Sequence, residues 1–106
     1  MPKYLLEVNY TLDGLQGVVA KGGSARKAAA SAAAKSVGGK LDAFYFAFGG
    51  TDVFCIADMP NNEAAAALAL TVSAAGGASV KTVVLLTTDE VDAAVGKDVK
   101  YKPPGS

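Results

Sequence analysis

The sequence predicts an α+β domain: a four-stranded antiparallel sheet with two helices on one face. Three observations predict it. Two β-rich runs, residues 41–48 and 51–59, flank the pair Gly49-Gly50 as the strands of a hairpin flank their turn. Two alanine-rich segments each stop at a glycine pair, Gly38-Gly39 and Gly76-Gly77, where left-handed caps end helices. One further β-rich run precedes the first of these segments and another follows the second. The order is therefore strand, helix, strand, strand, helix, strand (βαββαβ), the ferredoxin-like split βαβ.

Taken in order, Tyr4-Leu5-Leu6-Glu7-Val8-Asn9-Tyr10 mixes β-formers with alternating polar positions and runs into the turn signal Asp13-Gly14, so it reads as the first strand. Residues 11–23 carry four glycines and no sustained period; they read as a connection with a short helical turn around residues 15–20. Ser24 can cap the first helix, residues 25–37, which alanine favours throughout. The hairpin follows, with Gly49-Gly50 supplying the positive φ angles of a tight two-residue turn. Pro60 ends its second strand, Asn61 or Asn62 caps the next helix, and Glu63 sits at that helix's positive end. Residues 80–88 form the last strand and residues 89–95 one or two helical turns. The domain thus spans residues 1–96, and residues 97–106, ending in Pro103-Pro104-Gly105, form an extended C-terminal tail.

Composition narrows the functional classes. A chain of 106 residues suits one core. Lysine and arginine number ten, as do aspartate and glutamate, so no net field draws nucleic acid or an anionic membrane. The first residues hold too short an apolar run for a signal peptide before Glu7 interrupts it, which makes the cytoplasm the default location. One cysteine cannot form an internal disulfide, and the lack of histidine removes the usual zinc, copper and haem ligand sets, so no metal or cofactor is expected. Gly14, Gly17, Gly22 and Gly23 fit no phosphate-loop spacing.

The apolar patterning exceeds what one copy can hide. A two-residue turn pairs Phe44, Phe46 and Phe48 with Cys55, Val53 and Thr51 on one face, and Ala43, Tyr45 and Ala47 with Ile56, Phe54 and Asp52 on the other. Neither face alternates apolar with polar as a solvated antiparallel sheet does. The second helix has no charge between Glu63 and Lys81, hence no polar stripe for water, yet it falls short of a membrane span. Both features predict a homo-oligomer, sheet against sheet, with the alanine helix or the tail making further contacts.

No catalytic constellation is present. Asp52 reads either as a turn builder whose carboxylate accepts backbone N–H groups or as a ligand contact on the open side of the sheet, the turn role being the more ordinary. Glu7 and Asn9 share a strand face with Leu5, and polar groups there need water or partners. With Tyr45 and Asp52 they form either a small polar ligand pocket or a hydrogen-bond network at a subunit contact, with Glu7 paired to Lys81 or Lys3. Cys55 reads as a small hydrophobe. Arg26 and Lys27 stand at the positive end of a helix, a placement that suits a solvated face or a negative partner. Tyr101 can anchor the tail on a neighbouring subunit.

Several stretches resemble the GYD domain family, within the dimeric α/β barrel superfamily that also holds the effector domains of Lrp/AsnC regulators: Asn9-Tyr10-Thr11, Gly38-Gly39-Lys40, Phe44-Tyr45-Phe46 and Glu63-Ala64-Ala65-Ala66. The family's name-giving motif falls on Gly49-Gly50-Thr51-Asp52, with threonine where the aromatic residue usually stands. The resemblance implies a ferredoxin-like protomer in a dimeric α/β barrel or higher ring, and no established reaction. Two functions follow as expectations: a non-catalytic homo-oligomer that binds a small molecule or serves assembly, or a cofactor-independent oxygenase or isomerase with Glu7 or Asp52 as base.

Overall fold

A computed structural model describes residues 1–106. Its elements run β1 (Lys3–Tyr10), α1 (Leu12–Lys21), α2 (Gly23–Ser36), β2 (Lys40–Phe46), β3 (Val53–Asp58), α3 (Asn62–Ala74), β4 (Ala78–Leu85) and α4 (Thr88–Val95). The four strands form one antiparallel sheet in the order β2-β3-β1-β4. Residues 97–106 hold no helix or strand.

The sheet and the two alanine-rich helices follow the sequence pattern, whereas the connection after β1 does not. Residues 12–21 form a ten-residue helix in place of a connection with one short helical turn at residues 15–20. Thr11 caps it by accepting from the Gly14 N–H, and Asp13 stands in its first turn. Gly14 marks close packing rather than chain reversal: a Cβ there would lie 1.9 Å from the Gly77 carbonyl oxygen, so only glycine lets α1 meet the turn between α3 and β4. Thr11 secures that meeting, its N–H donating to Gly77 O at 3.0 Å and its hydroxyl to Gly76 O at 2.9 Å.

In the β2–β3 hairpin the expected pairs Phe44–Cys55, Tyr45–Phe54 and Phe46–Val53 are present. The turn is looser than a two-residue loop. The last ladder bond runs from Ala47 N–H to Asp52 O at 2.9 Å, and the left-handed φ values fall on Phe48 (56°) and Gly50 (131°). Stacking of Phe48 on Phe46, centroids 5.4 Å apart, offsets the strain of a left-handed aromatic residue. A bulge at Asp42 also breaks the regular ladder near the far end of β2.

Helices α2 and α3 cover the sheet face that carries Tyr4, Leu6, Val53, Cys55 and Ala57, which with Ala34, Met59 and Ala65 form the core. The opposite face has no cover. Cross-strand rows run Ala43–Ile56–Leu5–Val83 and Tyr45–Phe54–Glu7–Lys81, one apolar throughout and the other apolar for half its length. From Leu86 onward every residue is exposed, Val95 and Val99 among them, so α4 and the tail stand away from the body. The accessible surface of 7024 Å² compares with about 5,500 Å² for a compact monomer of this mass. The radius of gyration, 16.9 Å, compares with about 13 Å.

Candidate functional site

The four residues singled out in the sequence gather at one end of the uncovered face. Asp52 and Asn9 spend their polar groups within the chain, whereas Glu7 has one long contact and the Tyr45 hydroxyl none. Asp52 Oδ2 accepts from the Tyr10 N–H at 2.8 Å, and the Asp52 N–H donates to Val8 O at 3.0 Å. Asn9 Nδ2 donates to Gly50 O at 2.9 Å. Asp52 and Asn9 thereby tie the hairpin turn to the end of β1. Glu7 Oε1 accepts from the Thr51 hydroxyl at 3.4 Å; it stands opposite Lys81 in register yet forms no ion pair with it. The expected Lys3 partnership goes elsewhere: Lys3 Nζ donates to Asp42 at 2.5 Å and to Asp58 at 2.8 Å. The hydrogen bond between Lys3 and Asp42 raises the Lys3 pKa and lowers that of Asp42. The Asp42 bulge enables it by taking that residue out of the regular pairing. Tyr45 is 71 % exposed beside Phe54.

A cavity lies on the other face, between the helices and the sheet. About 150 Å³ of partly open space is bounded by Leu6, Phe44 and Cys55 of the sheet, Ala30 and Ala33 of α2, and Leu68 of α3, among others. Of its sixteen lining residues fifteen are hydrophobic, and the sixteenth is Arg26. It opens on a wider groove of about 750 Å³ under α1, with which it shares Tyr10, Arg26, Ala29, Val72 and Ala78; the groove adds Asp13 and Lys21. The cavity follows from composition. Alanine makes α2 a good helix but offers only a methyl group toward the sheet, too little to fill the gap opposite Phe44 and Leu68.

Arg26 differs from the other nine cations in being half-buried while each of them is exposed. It has no ion pair and no hydrogen bond from its side chain. Cys55 lies in the cavity wall with its thiol toward Leu6 O at 3.7 Å, and burial pushes its pKa up to about 11. It stays protonated at neutral pH and is a wall atom, not a nucleophile. No three His, Cys, Asp or Glu side chains converge to hold a metal ion. The site therefore has an apolar body, one guanidinium at its mouth and no carboxylate in its wall. The sequence marked Arg26 only through its position at the start of α2. The cavity had no signal of its own, since alanines that bound a space and alanines that fill one look alike.

A family profile for the GYD domain matches residues 4–95. No curated protein and no solved structure matches the chain at a significant level. No helix is long and apolar enough to cross a membrane.

Proposed function

The chain belongs to the GYD domain family, and we propose that it works as a non-catalytic homo-oligomeric module carrying a small-molecule cavity between its helices and its sheet. The observation that carries the self-association is the surface excess. At 7024 Å² the chain exposes about 1,500 Å² more than a compact monomer of its mass. Two copies hiding that excess bury about 3,000 Å² in all, within the range of obligate homodimers. The sheet order β2-β3-β1-β4 and the two helices on one face support a ferredoxin-like protomer that pairs sheet to sheet as a dimeric α/β barrel. The row Ala43–Ile56–Leu5–Val83 forms the dry centre of that contact. Glu7, Asn9, Tyr45 and Asp52 lie at its polar rim, and the Lys3, Asp42 and Asp58 ion cluster lies beyond the apolar row on the other side. The exposed arm, residues 86–106, adds apolar contacts from Val91, Val95 and Tyr101 to a neighbouring copy.

Two features favour binding over catalysis. Glu7 and Asp52, the candidate bases, face away from the cavity, and the polar groups of the cavity wall are a guanidinium, a protonated thiol and the Tyr10 phenol, with no carboxylate or imidazole among them. A single unpaired cysteine suits a reducing compartment, which supports a cytoplasmic site of action. Native mass spectrometry and sedimentation equilibrium at micromolar concentration test the assembly. The wild-type chain is expected as a dimer or higher ring, and Ile56→Asp, which places a charge in the apolar row, as a monomer with the same circular dichroism. A monomeric wild type, or an Ile56→Asp variant of unchanged mass, overturns it.

A further inference from the structure

We propose that the helix–sheet cavity binds a small apolar carboxylate, with the ring or branched chain inside and the carboxylate on Arg26. This deepens the small-molecule reading above and is independent of the sheet-to-sheet contact, which lies on the opposite face.

Size, wall and charge each limit the ligand. A cavity near 150 Å³ accommodates a benzene-sized body, so the buried part is a six-carbon ring or a short branched chain. The interior wall is hydrophobic apart from Arg26, so a ligand with a polar group in its middle loses hydration without recovering hydrogen bonds. The polar end must therefore sit at the mouth. There Arg26 presents only donors, in a planar fork that matches a carboxylate with two parallel hydrogen bonds. Arg26 is half-buried as a residue, and its guanidinium, having no partner in its own chain, has its donors free for an anion arriving at the mouth. The surrounding groove tilts the same way. Lys21 and Arg26 outnumber Asp13 there, and Tyr10, whose hydroxyl makes no hydrogen bond in the chain, borders both spaces. A neutral alcohol of the same shape gains the cavity and not the fork. A dianion such as a phosphate ester finds one guanidinium where such groups usually meet several donors.

Benzoate and benzyl alcohol, which share a ring and differ in charge, serve as probes of the full-length protein by calorimetry and by amide shifts in nitrogen-15 spectra. Benzoate is expected to bind at least tenfold more tightly, with shifts centred on Ala29, Ala33, Val72 and Ala78. Arg26→Gln is expected to weaken benzoate about tenfold and benzyl alcohol less than twofold, because a charge-assisted bidentate pair is worth roughly that factor. Ala33→Leu, which fills the space, is expected to abolish both. Equal affinity of wild type for the two probes overturns the proposal without any variant being needed. So does no shift with either probe at millimolar concentration, an Arg26→Gln effect equal for both, or undiminished binding to Ala33→Leu. Sedimentation of the same samples separates this from the assembly. A monomer that still prefers benzoate refutes only the oligomer, and a dimer indifferent to the carboxylate refutes only the ligand class.

Discussion

Gly14→Ala and Gly17→Ala place the same methyl group on the same helix, yet the fold demands opposite outcomes. At Gly14 the new Cβ would fall 1.9 Å from the Gly77 carbonyl oxygen, 2.9 Å from its carbon and 3.1 Å from the Tyr10 ring. These lie inside the roughly 3.5 Å at which such atoms attract, and two of the three atoms belong to backbone that no rotamer change can move. Helix α1 must withdraw from the α3–β4 turn, stretching both hydrogen bonds from Thr11 to Gly76 and Gly77. Overpacking costs about 1–3 kcal/mol, and the two weakened bonds about 1 kcal/mol together because water replaces them in part. Better helix propensity returns about 1 kcal/mol, leaving a net loss of roughly 2 kcal/mol. At Gly17 nothing lies within 4 Å, so only the propensity gain of about 0.5–1 kcal/mol remains. Urea unfolding by circular dichroism, with every sample at one protein concentration so that association does not enter the comparison, should show Gly14→Ala less stable and Gly17→Ala more stable than wild type. The corresponding melting shifts are about 10 °C down and 4 °C up. Two shifts of the same sign, or a neutral Gly14→Ala, refute the docking of α1 through its glycine.

Two further outcomes concern ionisable groups. With its pKa at about 11, Cys55 is about one part in a thousand thiolate at pH 8, so a chromogenic disulfide reagent should label it only as urea unfolds the chain; prompt labelling in native buffer would mean an open cavity wall. Glu90 completes a capping box with Thr87, and the hydrogen bond from the Thr87 N–H lowers its pKa below the ordinary 4.5. A lowered carboxylate stabilises the fold above its unfolded value and loses that contribution as pH falls through the lowered one, so the amide of Thr87, the N-cap of α4, should titrate with Glu90 below pH 4.5. The same titration in Glu90→Gln should be flat, and a variant that titrates like wild type removes the box as the cause.

Much of the architecture is open to sequence reasoning because it depends on local rules. Alternating residues fix which side of the sheet Leu6 and Cys55 occupy, alanine runs ending at glycine pairs give α2 and α3, and the pairing of Phe44, Tyr45 and Phe46 follows from the nearby turn. The failures share one cause, which is contact between segments distant in the chain. Gly14 reads as a loop residue until Gly77 is placed against it, 63 positions later. Asp42 reads as one more strand residue until the bulge delivers it to Lys3. The hairpin turn departs from the tight form because Asp52 and Asn9 fasten it to β1, a constraint invisible within the hairpin itself.

The same distinction separates the two faces of the sheet as functional surfaces. On the open face strand periodicity is enough to put Leu5, Ile56 and Val83 together as an apolar row, which the fold then leaves without a cover. On the helix side periodicity says only that alanines point inward. Whether they close the interior depends on how far the sheet's phenylalanines and Leu68 reach, which three-dimensional packing alone decides. Leucines in those positions of α2 would contribute more burial, about 0.8 kcal/mol for each added CH₂, and would leave Arg26 as the solvated end of a filled helix. Retaining alanines forgoes that stability and keeps both the space and an unpaired guanidinium beside it. In the homo-oligomer proposed above, the contact on the open face would supply the stability that the alanine-lined side withholds.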